Sequence, residues 1–137
     1  MRFILKRLWV DSDDMLKIEV FLEGDGYSAT QDIYIYPSDL EEFGKKLEQF
    51  PSSITEEVVL EIGSTEGSHY CWFKLRAYIY DGVGDSAFEI STKKNGAVHL
   101  KAQIQFSVLI EAASLNFLGK EIKNWAKYNE TPLIFAC

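Results

Sequence analysis

The stretch His69-Tyr70-Cys71-Trp72-Phe73-Lys74-Leu75-Arg76-Ala77-Tyr78-Ile79-Tyr80 alternates between two kinds of side chain. Neighbouring residues of a strand leave opposite faces of the sheet. Cys71, Phe73, Leu75, Ala77 and Ile79 therefore form an apolar set, and Tyr70, Trp72, Lys74, Arg76, Tyr78 and Tyr80 an aromatic and cationic one. The first set reads as core. The second has two readings. Aromatics favour strands and stabilise antiparallel pairs through cross-strand contacts, and they are also enriched, with Arg, where proteins grip partners.

The pattern continues outward from this strand. Upstream, Phe3 to Val10 and Met15 to Glu23 read as strands around the turn Asp11-Ser12-Asp13-Asp14, and Leu16, Ile18, Val20 and Leu22 share one face of the second. Gly24-Asp25-Gly26 supplies the positive φ of a tight hairpin, and Tyr27 to Tyr36 returns as a third strand. After Pro37, Ser38-Asp39-Leu40-Glu41 has the form of a capping box. Leu40, Phe43, Leu47 and Phe50 then recur at helical spacing, so a helix is expected over Ser38 to Phe50. Gly44 within it suggests close packing against the sheet.

Glu57 to Gly63 reads as a fourth strand and Ala87 to Lys93 as a sixth, with Asn95-Gly96 as a tight hairpin into a long seventh strand from Val98 to Val108. Ala112, Leu115, Leu118, Ile122 and Trp125 fall on one face of a closing helix, Ala112 to Lys127, followed by a short apolar tail, Leu133 to Cys137. The order βββαββββα predicts a single α+β domain over residues 1–137: one antiparallel sheet of about seven strands with both helices on one face. Phe43, Leu47, Phe73, Leu75, Ile104, Phe106, Leu115 and Leu118 are the expected core.

A chain of 137 residues suffices for one core. Its formal charge of −7 argues against nucleic acid as a ligand, since neutralising phosphates takes clustered Lys and Arg. A basic protein partner is the more natural match, although an acidic balance also serves solubility. Two cysteines, Cys71 and Cys137, make no disulfide framework and fit a reducing compartment. Lys6 and Arg7 interrupt the apolar run at the start, so no signal peptide or membrane span is expected, and the compartment read is the cytoplasm.

Catalytic and metal-ligating patterns are sparse. His69 and Cys71 share a strand face but lack further ligands at zinc-like spacing. The run Asp11 to Asp14 lacks the glycine and terminal glutamate of a calcium loop. Gly82-Val83-Gly84 is too short to cradle phosphate, and Glu41-Glu42 and Glu56-Glu57 lie on segments read as exposed. Cys71 reads as a small buried hydrophobe. No enzyme, metal or cofactor is expected.

The layout resembles small bacterial proteins grouped with WapI-type immunity proteins. The points of resemblance are Tyr34-Ile35-Tyr36-Pro37-Ser38-Asp39-Leu40-Glu41-Glu42-Phe43, leading from strand into helix, and Ile110-Glu111-Ala112-Ala113-Ser114-Leu115-Asn116-Phe117-Leu118. The resemblance implies a non-enzymatic cytoplasmic protein that neutralises the toxin domain of a contact-delivered polymorphic toxin. It carries no residue-level binding motif. The expected contact surface is Tyr70, Trp72, Lys74, Arg76, Tyr78 and Tyr80, with Tyr34 and Tyr36 beside it. A homodimer or structural subunit is the alternative, in which an apolar patch would be self-complementary about a two-fold axis, and a small-molecule-binding domain or enzyme comes last.

Overall fold

Apolar alternation in this chain builds eight strands, one more than the sequence suggested. The computed structural model describes residues 1–137. Strands β1 (Arg2–Val10), β2 (Leu16–Gly24) and β3 (Tyr27–Ile35) precede helix α1 (Pro37–Glu48). Then come β4 (Glu57–Gly63), β5 (Tyr70–Ile79), β6 (Ser86–Asn95) and β7 (Ala102–Leu109), helix α2 (Ala112–Trp125), and β8 (Leu133–Ala136). The expected single sheet is instead two antiparallel sheets of four strands, ordered β3-β2-β1-β8 and β4-β5-β6-β7. The division falls at α1, which carries the chain from one sheet to the other. The added strand is the apolar tail, which pairs Phe135 with Phe3 and Leu133 with Leu5 along β1.

Both sheets and both helices contribute to one apolar cluster of 29 buried residues. Phe3 of β1 meets Phe88 of β6 edge to face across it, with ring centroids 5.7 Å apart. The helices run antiparallel. Near the start of α2, the Asn116 amide donates to the carbonyls of Leu47 (3.0 Å) and Phe50 (2.5 Å) at the end of α1. Lys123 pairs with Glu48 at 2.6 Å, and Lys127, just past α2, reaches back to Glu41 at 3.5 Å. The close approach expected of Gly44 is made to α2 and not to a sheet. A Cβ there would sit 2.7 Å from the Lys123 nitrogen, and one on Gly119 would sit 2.7 Å from the Gly44 carbonyl. The capping box does not form, because Tyr36 is the N-cap in extended conformation, Pro37 opens the helix, and no side chain caps it.

The second sheet projects beyond this core at one end. Successive cross-strand rows on its inner face are Leu75, Ile90 and Phe106, then Phe73, Thr92 and Ile104, then Cys71, Lys94 and Ala102. Leu75 and Phe73 are buried, but Phe106 is only partly so, Ile104 is 40% exposed, and Cys71, Lys94 and Ala102 are open to solvent. Ile104 and Cys71 were expected in the core; the apolar pattern continues past the point where anything packs against it. Nor does Asn95-Gly96 make a two-residue hairpin. A short 3-10 turn at Val98–Leu100 intervenes, so β7 begins at Ala102 and not at Val98. Asp25 and Gly26, with φ of 54° and 83°, do turn β2 tightly into β3. That hairpin leans on the far half of β7, where Tyr27 packs on Phe106 at 5.8 Å and Gly24 faces Val108 with no room for a Cβ.

Candidate partner-binding face

The outer face of the second sheet is built from residues that alternate with the core set, and the strand register sets them in rows. Val59, Arg76, Glu89 and Ser107 form one row; Glu61, Lys74, Ser91 and Gln105 the next; then Gly63, Trp72, Lys93 and Gln103. Arg76 sits at the centre. Its two terminal nitrogens bridge Glu57 at 2.6 Å and Glu89 at 3.2 Å, and its guanidinium lies 3.8 Å over the ring of Tyr78. Burial works against its charge, but the hydrogen bonds and charges of Glu89 and Glu57 outweigh it and hold the guanidinium above its ordinary pKa. The remaining nitrogen, Nε, is buried with no hydrogen-bond partner. The fork is thus held on two sides, which stiffens a side chain that is otherwise among the most mobile.

The other members of the face are tied in turn. The Tyr78 hydroxyl and the Ser107 hydroxyl hydrogen-bond at 2.7 Å, spanning from β5 to β7 over the intervening β6. The Gln105 amide donates to Glu89 at 3.3 Å. The Trp72 indole donates to Glu61 at 2.6 Å, and the amines of Lys74 and Lys93 approach its ring at 5.6 and 5.8 Å. These long side chains lean over β6, and Glu89 and Ser91 are buried beneath them although they face outward. Tyr70, Trp72, Lys74, Arg76 and Tyr78 are all half-buried.

Five of the eight expected contact residues are therefore brought together on β5, and Tyr80 lies just past the strand end. Its backbone N–H donates to Asp85, and its phenol is pushed above its ordinary pKa by desolvation first, then by the charges of Asp85 and Asp81. Tyr34 and Tyr36 are not beside this face; they belong to the first sheet and its exit. Tyr34 packs edge to face on Trp9 at 5.7 Å beneath the Lys17 amine, and the Tyr36 hydroxyl donates to Asp13 at 3.0 Å. That bond, followed by the Asp13 charge, raises the Tyr36 pKa. Leu8, Trp9 and Val10 beside them are each about 40% exposed, at 38%, 42% and 44%.

Glu57, Glu61, Glu89, Ser107 and Gln105 complete the face and are not among the contact residues expected from sequence, where Glu57 reads only as an exposed carboxylate. A signal did exist in the alternation of Phe88 and Ile90 with Glu89 and Ser91, which places a carboxylate outward, but the register that sets Glu89 opposite Arg76 is not written in either strand alone. The carboxylates with displaced pKa lie elsewhere. Glu56 is lowered by hydrogen bonds from Ser52, and in the turn after β5 Asp85 is raised by its hydrogen bond to Asp81. No three His, Cys, Asp or Glu side chains converge in a group that could hold a metal ion.

No protein-family model matches the chain, and no curated protein does. Among solved structures, WHY1 from Arabidopsis thaliana superposes on 93% of this chain and 77% of its own, with a TM-score of 0.49 and 12% identity. A similarity at that level carries no argument about function.

Proposed function

We propose that this is a non-catalytic protein-binding domain that contacts its partner through the outer face of the second sheet, centred on Trp72, Arg76 and Tyr78. The observation that supports it is the preorganisation of these side chains by Glu57, Glu61, Glu89 and Ser107. Aromatic and Arg side chains already held in place lose little conformational entropy on binding, which is the character of an interface hot spot. The partner class we favour is the basic toxin domain that the resemblance to immunity proteins implies. The formal charge of −7 would attract such a body at long range. The test is capture of the product of the adjacent gene by the purified protein and by Trp72→Ala/Tyr78→Ala. The double variant should remain folded by circular dichroism and lose at least about 2 kcal/mol of binding. Equal capture by both proteins would overturn the assignment.

A further inference from the structure

The overhanging end of the second sheet differs in charge from the rest of the molecule. Two adjoining concavities of about 240 and 80 Å³ lie there, sharing Lys93 and Gln103. Lys74, Lys93, Lys94 and Lys101 line them, and no carboxylate does, in a chain carrying 21 acidic residues against 14 basic ones. Beside them runs a free sheet edge. β7 pairs only with β6, and no backbone hydrogen bond outside the ladders involves Ala102–Leu109. The far half of β7 is sheltered by the β2–β3 hairpin, but Ala102 to Gln105 is exposed on both faces. By strand alternation, Lys101 and Gln103 lie on the outer side of this edge with Lys93 one strand in, whereas Ile104 lies on the inner side.

We propose that this edge receives an extended acidic segment carried by the otherwise basic protein partner, added as a fifth antiparallel or parallel strand along Ala102–Gln105. Its carboxylates would face Lys93 and Lys101, and its alternate apolar side chains would cover Ile104. An unpaired edge supplies backbone hydrogen bonds of any sequence, and the side chains flanking it supply the selection. Lysines at an edge also oppose self-pairing, because a second copy would bring like charges together. The same charges that exclude a second copy favour an acidic strand. The inference rests on the outer face being the partner surface, and it adds the chemistry of the segment that docks at one end.

The probe is a labelled peptide of about eight residues alternating Glu and Val, titrated at low salt and followed by fluorescence anisotropy. Saturable binding is expected, weakened at least about tenfold by Lys93→Gln/Lys101→Gln and by raising sodium chloride from about 50 to 300 mM. A peptide N-methylated on alternate backbone nitrogens should also bind at least about tenfold more weakly to the unaltered protein. Absent binding, equal binding of the N-methylated peptide, or equal binding of a Lys-Val peptide would overturn the proposal. So would inorganic triphosphate displacing the peptide while binding as tightly, which would mark a small-anion site, or a dimer by sedimentation that closes the edge. Partner capture by Trp72→Ala/Tyr78→Ala is read separately. Its loss without peptide binding removes only the strand addition, and peptide binding without its loss removes only the aromatic face.

Discussion

β6 and β7 are neighbours in one sheet, paired residue for residue, yet they have opposite surroundings. Ser86 to Thr92 of β6 are buried on both faces, including Glu89, whereas Ala102 to Gln105 of β7 are exposed on both. The difference does not come from the pairing, which is regular in both. It comes from what leans over each strand. Phe88 meets Phe3 of the first sheet and, with Ile90, belongs to the buried cluster, and the outer side of β6 is roofed by Arg76, Tyr78 and Gln105. Beyond Phe106 the core ends and no roof reaches β7. Burial within a sheet is therefore set by its neighbours above and below, and alternation alone records only which side a residue faces.

The contrast can be broken most directly in the core. Phe88→Ala should cost about 3–5 kcal/mol in chemical denaturation, against less than about 1 kcal/mol for Ile104→Ala. Comparable losses would mean that the overhang is covered in solution. Next in size is the roof over β6. Glu89→Ala should cost about 2 kcal/mol, less than a fully buried pair would, because Arg76 keeps Glu57 and some access to water. Glu89→Gln, which keeps the shape and one acceptor, should lose less, and a reversed order would argue against the ion bridge.

A smaller effect sharpens the link between the strands. Tyr78→Phe removes only the hydroxyl that reaches Ser107, and a loss of about 1 kcal/mol is expected. Ser107→Ala should then add little in the Tyr78→Phe background, a coupling that a double-mutant cycle reads. Smallest of all, Gln103→Thr on the exposed edge should change stability by no more than about 0.5 kcal/mol.

Much of the local structure was legible in the sequence. The strands of β2 and β5, the turn at Asp25-Gly26 and the apolar stripes of both helices follow from periodicity and turn chemistry, which act over a few residues. Six of the eight expected core residues are buried for the same reason; Phe106 and Ile104 are the exceptions. What was not legible depends on distant partners. Nothing within Leu133 to Cys137 says that it will pair with β1, and nothing within α1 says that the strands after it start a second sheet. The set of expected contact residues divides along the same line. The parity of β5 gathered Tyr70 to Tyr78 correctly, whereas placing Tyr34 and Tyr36 with them would have required knowing which sheet they belong to.

The pairing of β8 with β1 has a consequence in time. Leu5 and Leu133 lie 128 residues apart, and the first sheet has no fourth strand until that distance is closed. During synthesis β1, β2 and β3 can form their hairpins early, but the β1 edge from Arg2 to Leu5 stays open while the second sheet and both helices are still emerging from the ribosome. An open edge beside Phe3 and Leu5 is a site where nascent chains can pair with one another. The short terminal strand thus acts late, as the step that takes this edge out of circulation. Its removal should show first as aggregation during expression, at temperatures where the finished protein would still be folded.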